Sequence, residues 1–320
     1  MPEPRRVFVL GAGAIGASVG ALLFETGVDC VLVVRGENGR AIAERGVELR
    51  FPDENRSRKI AIPTATTLEA TPEDLVLLAT MGHDTEAAIG SIDPRVPIAS
   101  FQNGDAPLDL VRGRGHPTIA AMVYVPAERR APGVIALVGA PVPGSIVVGS
   151  WPNGADATSA WLVERLRAAT FRAELERDIA PWIRAKLLVN LAGVVVALCD
   201  DPPSDVIEAA RDEARAVWRA SGERFEDIAA LLARVGPLES HPVDGRERLG
   251  GSTRSALDRR GAPLETSFLH GTIIVTGRKN RVATPVNERL VALAEEAVRE
   301  RWSAGASSAT VVRERVFAAR

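Results

Sequence analysis

The sequence predicts an α/β amino-terminal domain followed by an all-α carboxyl-terminal domain, and three observations predict it. Short apolar runs rich in strand formers alternate with helical patterns as far as Leu175. A glycine-rich turn joins the first of these runs to the first helix. From Asp178 onward the spacing of apolar residues is helical to the end of the chain.

Taken in order, Val7–Leu10 is too short for a helix and runs straight into Gly11, Gly13 and Gly16. This reads as strand, tight turn and helix, with the helix over Ala14–Glu25, a turn at Gly27 and a second buried strand over Asp29–Val34. The whole is a βαβ unit of the dinucleotide-binding (Rossmann) type. Gly11 makes the turn, Gly13 leaves room for a pyrophosphate and Gly16 packs the helix on the strand. The N–H groups at the helix start, those of Ala14 and Ile15 among them, are then free to hold the pyrophosphate. A purely structural turn is the alternative.

The second strand ends in Arg35, with Arg40 shortly after, where an NAD site usually has an acidic residue for the ribose 2′-OH. A guanidinium suits a 2′-phosphate, and each charge-assisted bond contributes on the order of 1.5–3 kcal/mol, which points to NADP(H). A solvated arginine at a strand end is the bland reading.

Gly36–Arg40 is a polar lead into a short helix, and Val47–Phe51 with Lys59–Ile62 reads as a small edge ribbon. Asp74–Thr80, Pro97–Phe101 and Ile119–Val125 are further strands, with a helix over Asp84–Ile92. Ligands lie beyond the carboxyl ends of strands in such sheets, so Thr80, Met81 and Asn103 should face the nicotinamide. Asn103 reads equally well as an ordinary turn residue before Gly104. Gly133–Val138 and Ser145–Val148 read as a hairpin, followed by a helix over Ala157–Ala169 and a last strand at Phe171–Leu175. The boundary falls near Arg177, giving domains 1–177 and 178–320.

The second domain is expected to hold helices over Ala180–Leu198, Pro203–Ser221, Phe225–Val235, Gly251–Arg260, Pro263–Arg278 and Pro285–Arg301. Thr284-Pro285 is a helix start with a capping hydroxyl, and the tail after Trp302 is expected to be loosely held. Within the very apolar helix Ala180–Leu198, Lys186 and Asn190 are four residues apart and share a face. An ammonium with little water around it becomes a readier proton donor, as reduction of a ketone requires. A lysine snorkelling to the surface is the alternative. Thr253, Arg254 and Glu265 add a hydroxyl, a guanidinium and a carboxylate for an anionic substrate and its hydroxyl; each alone reads as a cap or surface charge.

Bulk properties exclude other classes. A net charge of −2, from 39 basic and 41 acidic residues, offers no field for nucleic acid or an anionic membrane. Cys30 and Cys199 are isolated and read as reduced core residues of a cytoplasmic protein; the four histidines show no metal spacing. Leu187–Leu198 is very apolar but too short to span a bilayer.

Several stretches together resemble the ketopantoate reductase (2-dehydropantoate 2-reductase) family. They are GAGAIG at Gly11–Gly16, Arg35, QNG at Gln102–Gly104, RAKLLVN at Arg184–Asn190, LExxxxHG at Leu264–Gly271 and TPVN at Thr284–Asn287. The resemblance runs from Val7 to about Leu293. It implies a Rossmann domain plus a helical domain, a cleft between them, NADPH as hydride donor and a small 2-keto acid as substrate. It further implies Lys186 as general acid, Glu265 bonding the substrate hydroxyl, Asn103 touching nicotinamide and substrate, and Asn190 near the substrate. Departures fall on the substrate side. Met81 stands where the family usually has a lysine, Thr253-Arg254 where it has a serine pair, Val194 for a second asparagine and His270 for an asparagine. A reductase of another 2-keto or imino acid therefore stays open, as does a nicotinamide-nucleotide sensor without turnover, and the exposed helical domain offers a surface for a homodimer.

Overall fold

The computed structural model describes residues 3–52, 57–248, 250–259 and 262–318. Its first half runs β1 (Val7–Leu10), α1 (Ala14–Glu25), β2 (Cys30–Val33), α2 (Gly36–Arg45), β3 (Val47–Arg50), β4 (Ser57–Ile60), β5 (Thr64–Ala65) and β6 (Leu75–Leu78). There follow α3 (Thr85–Ile89), β7 (Ile98–Ser100), α4 (Ala106–Gly113), β8 (Thr118–Tyr124), β9 (Ala127–Ala131), β10 (Val134–Leu137) and β11 (Gly139–Ala140). β12 (Ser145–Ser150), α5 (Ala157–Ala168) and β13 (Arg172–Leu175) complete it. Helices then dominate: α6 (Ala180–Asn190), α7 (Gly193–Leu198), α8 (Ser204–Ser221) and α9 (Ile228–Val235), the short β14 (Glu239–Ser240), α10 (Ser252–Leu257), α11 (Thr266–Lys279), α12 (Pro285–Arg299) and α13 (Ala309–Phe317).

Two compact units result, and they exchange segments. One comprises Met1–Gln102, Pro107–Ala180 and Leu232–Arg248; the other comprises Asn103–Ala106, Pro181–Leu231 and Leu249–Arg320. Whereas the sequence places one boundary at Arg177, Leu232–Arg248 is held with the first unit by β14 pairing antiparallel to β11. Arg234 adds bonds to Glu174 at 3.0 Å and Glu176 at 2.8 Å.

The first unit is built on an eight-stranded sheet of order β13-β12-β8-β7-β6-β1-β2-β5. All neighbours are parallel except β8 with β12. Strand residues alternate between its faces. Val7, Val9, Cys30, Leu32, Leu75 and Leu77 join α1 and α5 in one core. Phe8, Val31, Val76, Leu78 and Ile98 join Ile89 of α3 and Val111 of α4 in the other. A second sheet, β4-β3-β10-β9, closes over α1, so that helix is buried from Gly16 to Leu23 and has no polar face.

Sequence periodicity placed the β3–β4 ribbon and misplaced one pairing. β10 and β12 do not form a hairpin: β10 pairs with β9 and β3, while β12 pairs with β8 and β13. The pattern shows that each run is a buried strand, but β10 turns back on β9 immediately before it and takes β3 on its other side, which leaves β12 to β8 and β13. The edge ribbon β3–β4 belongs to the second sheet, and Gly36–Arg40 is already the first turn of α2. The helix expected over Asp84–Ile92 is confined to α3, and α4 was not anticipated.

In the second unit, Ala180–Leu198 is not one helix. Read through, this 19-residue run is long and apolar enough to cross a membrane by length and composition. A turn at Leu191–Ala192 divides it here into α6 and α7. Leu187, Leu188 and Leu191 pack with Ala214, Val217 and Trp218 of α8 and with Leu269 and Ile273 of α11. A second core joins α7, α8, α10, α12 and α13. The tail is therefore not loose: Val312 and Val316 of α13 are fully buried there, and Arg313 bonds Asp205 at 2.9 Å. Truncating Val316 to alanine is expected to lower unfolding stability by about 2 kcal/mol, read as a shifted denaturant midpoint at unchanged slope. A dispensable tail would give no shift.

Candidate functional site

The cofactor-binding candidates of the first unit gather where β1 and β6 part, at the point where strand order reverses on either side of them. Sterics explain two of the three glycines from the protein alone. Gly11 has φ +108°, and a Cβ there would lie 2.7 Å from the backbone of Ala79 and Thr80. A Cβ on Gly16 would sit 1.9 Å from the Gly11 carbonyl oxygen. Gly13 differs: a Cβ there would meet nothing within 4 Å, so no protein packing requires glycine. The space it leaves is open, directly at the N-cap of α1. No side chain caps that helix and its first turn carries no acidic residue, so the free N–H groups of its first turn give this end a polarity favourable to an anion. These residues fit a dinucleotide pyrophosphate.

Around this turn, Asn38 is a residue the sequence reading missed. Its Nδ2 donates to the Ala12 carbonyl at 2.7 Å, and its Oδ1 accepts from Gly133 N–H at 2.9 Å. It thus fastens the start of α2 to the glycine turn. The only sequence signal was its place three residues after Arg35. Arg35 is the N-cap residue of α2, and both it and Arg40 are exposed. Thr80 and Met81 follow β6, with the Thr80 backbone against Gly11; Gln102 Nε2 lies 3.1 Å from both Thr80 oxygens, 3.2 Å from the Met81 carbonyl and 2.9 Å from Thr85 Oγ1. One buried amide therefore sets the shape of that strand end.

The second unit collects the remaining candidates. Lys186 and Asn190 lie one turn apart on α6 and are both half-buried. The Asn190 Nδ2 atom is buried without a hydrogen-bond partner among the described residues. Leaving such a donor unmet costs about 1–3 kcal/mol, which a bound acceptor would offset. Glu265 is 5% exposed at the start of α11, whose Leu269 shares the core of Leu187 and Leu188. Asn103 belongs to the same unit, and a Cβ on its neighbour Gly104 would lie 3.8 Å from Leu269 and 3.9 Å from Leu187. Asn103, Lys186, Asn190 and Glu265 are thus carried by segments packed on a common set of leucines.

Thr253 and Arg254 stand on α10, against α7. Thr253 is buried, and its Oγ1 would be 2.9 Å from a Cβ on Gly193. The Arg254 guanidinium is already engaged, donating to the Val196 carbonyl at 3.1 Å and to Asp200 at 2.7 Å. Val194 is buried in the apolar core behind them. Burial pushes the Cys30 thiol up to about 12 and the Cys199 thiol upward as well, with nearby aspartates adding to both. Both thiols are buried and held in the protonated form.

Known proteins resemble this chain along most of its length. Residues 7–153 match the family described as "Ketopantoate reductase PanE/ApbA". The 2-dehydropantoate 2-reductase of Mycobacterium tuberculosis is 30% identical over 307 residues, covering 90% of this chain and 96% of that protein. Among solved structures, a PanE/ApbA family ketopantoate reductase from Ralstonia eutropha superposes with a TM-score of 0.75 at 24% identity, covering 92% and 99% of the two chains. D-mandelate dehydrogenase, solved with NADH and anilino(oxo)acetate, gives a TM-score of 0.76 at 19% identity over 92% of this chain and 99% of that one.

A buried network braces α11 from behind. Thr284 makes no side-chain cap; the Glu213 carboxylate of α8 instead accepts from the N–H groups of Val286 and Asn287 at 2.8 and 3.0 Å. Asn287 Nδ2 donates to the Ala210 carbonyl and to Glu213, so its Oδ1 accepts from His270 Nδ1 at 2.7 Å. Burial pushes the His270 imidazole down from 6.5 to about 4, the bond to Asn287 opposing this only in part. A depressed folded value means the stability is present above 6.5 and is lost as the pH falls toward 4, because the unfolded chain takes up the proton first. The denaturant midpoint should therefore fall between pH 7 and pH 5 by more in the wild type than in His270→Asn. Equal falls would remove the assignment.

Proposed function

The chain belongs to the ketopantoate reductase family, and from that premise we propose that it reduces a 2-keto acid, 2-dehydropantoate first among them, to the 2-hydroxy acid with NADPH. The observation that carries the reading is the buried, unpartnered Asn190 amide one turn from Lys186. An amide donor and an ammonium on one helical face suit a carbonyl that gains negative charge as it is reduced.

Bound NADPH supplies the hydride to C2. Gly11, Gly13, Gly16 and the first-turn N–H groups of α1 hold its pyrophosphate, with Thr80 and Met81 beside them, and Arg35, with Arg40 nearby, takes the 2′-phosphate. Lys186 gives its proton to the carbonyl oxygen, which becomes the hydroxyl of the product. Asn190 and Asn103 orient the carbonyl, and Glu265 accepts from the hydroxyl side of the substrate. Because Arg254 is bonded to Asp200 and Val196, Thr253 is the member of that pair left to meet the substrate carboxylate. The same engagement of Arg254, with Met81 and Val194, favours as second reading a relative that takes a different 2-keto or imino acid; a panel of such acids in an NADPH-oxidation assay separates the two.

Lys186→Ala is expected to lower kcat by about 10²–10⁴-fold while the Kd for NADPH stays within about twofold. A kcat within threefold of the wild type would remove Lys186 as the acid. Arg35→Asp should move the ratio of kcat/KM for NADPH over NADH down by tenfold or more; an unchanged ratio would take the 2′-phosphate away from Arg35.

A further inference from the structure

The four residues Asn103–Ala106 belong to the helical unit, although the chain on either side of them belongs to the other. An ion pair ties them to α6. Arg184 Nε donates to Asp105 Oδ2 at 2.9 Å, with only 11% and 8% of the two side chains exposed. The same guanidinium donates through Nη1 to the Arg224 carbonyl at 2.7 Å and lies 3.0 Å from Glu223 through Nη2. Arg184 and Leu187 are three residues apart and share a face of α6, so the face that pairs with Asp105 is also the one that Gly104 packs against. Gly104 has φ +83°, which lets the chain turn back there between Asn103 and Asp105. Lys186 and Asn190 stand on the adjoining face of the same helix.

Stability alone does not account for such a pair. Removing two charges from water costs about as much as their attraction returns, and apolar residues of similar volume commonly serve a fold as well or better. What an ion pair adds is a fixed registry between the segments it joins.

We propose that Arg184 and Asp105 are positioning residues for the reduction: they lock Asn103 in register with Lys186 and Asn190, so that amide and ammonium meet the substrate carbonyl in one setting. Neither touches the reacting atoms. The proposal rests on the reductase reading given above.

The test compares wild type, the double variant Arg184→Met with Asp105→Leu, and the single variants Asp105→Asn and Arg184→Lys. Each is measured for turnover of 2-dehydropantoate, for NADPH affinity by fluorescence titration and for Tm. The expected result is a double variant with Tm near that of the wild type and NADPH Kd within about twofold, but kcat lower by about 10–100-fold, the scale of an ångström of misplacement. Arg184→Lys, which keeps the charge, should recover part of the loss. A folded double variant with kcat within twofold of the wild type overturns the proposal. So does a kcat loss that appears only in variants whose Tm has collapsed. Should the double variant not fold, Asp105→Asn, assayed well below its Tm, decides by the same criteria. A wild type that binds NADPH yet never oxidises it with any 2-keto acid overturns the reductase reading and this proposal together, whereas an active wild type with indifferent variants overturns this proposal alone.

Discussion

Burial of α6 is the constraint that fixes the candidate residues of the second unit. Leu187 and Leu188, with Leu191 just beyond the helix, are drawn out of water against Trp218 and Ile273, and burial of each such side chain is worth about 1.5–3 kcal/mol. That packing leaves α6 one position along its axis and one rotation about it. Lys186, Asn190 and Arg184 are then presented on fixed faces of α6. The turn at Leu191–Ala192 follows from the same demand. α7 packs close against α10, where a Cβ on Gly193 would lie 2.9 Å from Thr253 Oγ1.

The first unit obeys a different constraint, the approach of two pieces of backbone. Gly16 lies under the carbonyl of Gly11, and Gly11 lies against Ala79 and Thr80, so turn, helix and β6 end are set by contact distances with no side chain between them. Gly13 is the exception, since nothing in the protein fills the space beside it. Asn38 and Gln102 then hold the rim of this opening with neutral amides, leaving its electrostatics to the helix terminus and the exposed arginines.

Features set by local sterics or helical spacing could be read from sequence. The glycine turn, the alternation of β1, β2 and β6, and the Lys186–Asn190 spacing are of that kind. Features decided by a distant partner could not. β10 and β12 look like a hairpin because both are buried strands close in sequence, yet β10 turns back on β9 and its other edge goes to the distant β3, while β12 pairs with β8 and β13. Thr284 looks like a cap, but Glu213 of α8 reaches the free N–H groups first. Arg254 looks like an anion ligand until Asp200 is found beside it. The tail reads as polar and loose, whereas Val312 and Val316 complete a core assembled from four other helices. Asn38 and the Arg184–Asp105 pair belong to the same class, for their importance lies in what they join.

The central claim is that the ammonium on α6 delivers the proton to the reduced carbonyl. Chemical rescue addresses it most directly: Lys186→Ala, saturated with NADPH and 2-dehydropantoate, is titrated with small primary amines while single-turnover NADPH oxidation is followed. The account predicts a rate that rises with amine concentration and depends on amine pKa, at unchanged nucleotide affinity. A Lys186→Ala enzyme that reduces the substrate at the wild-type rate with no amine present would contradict it.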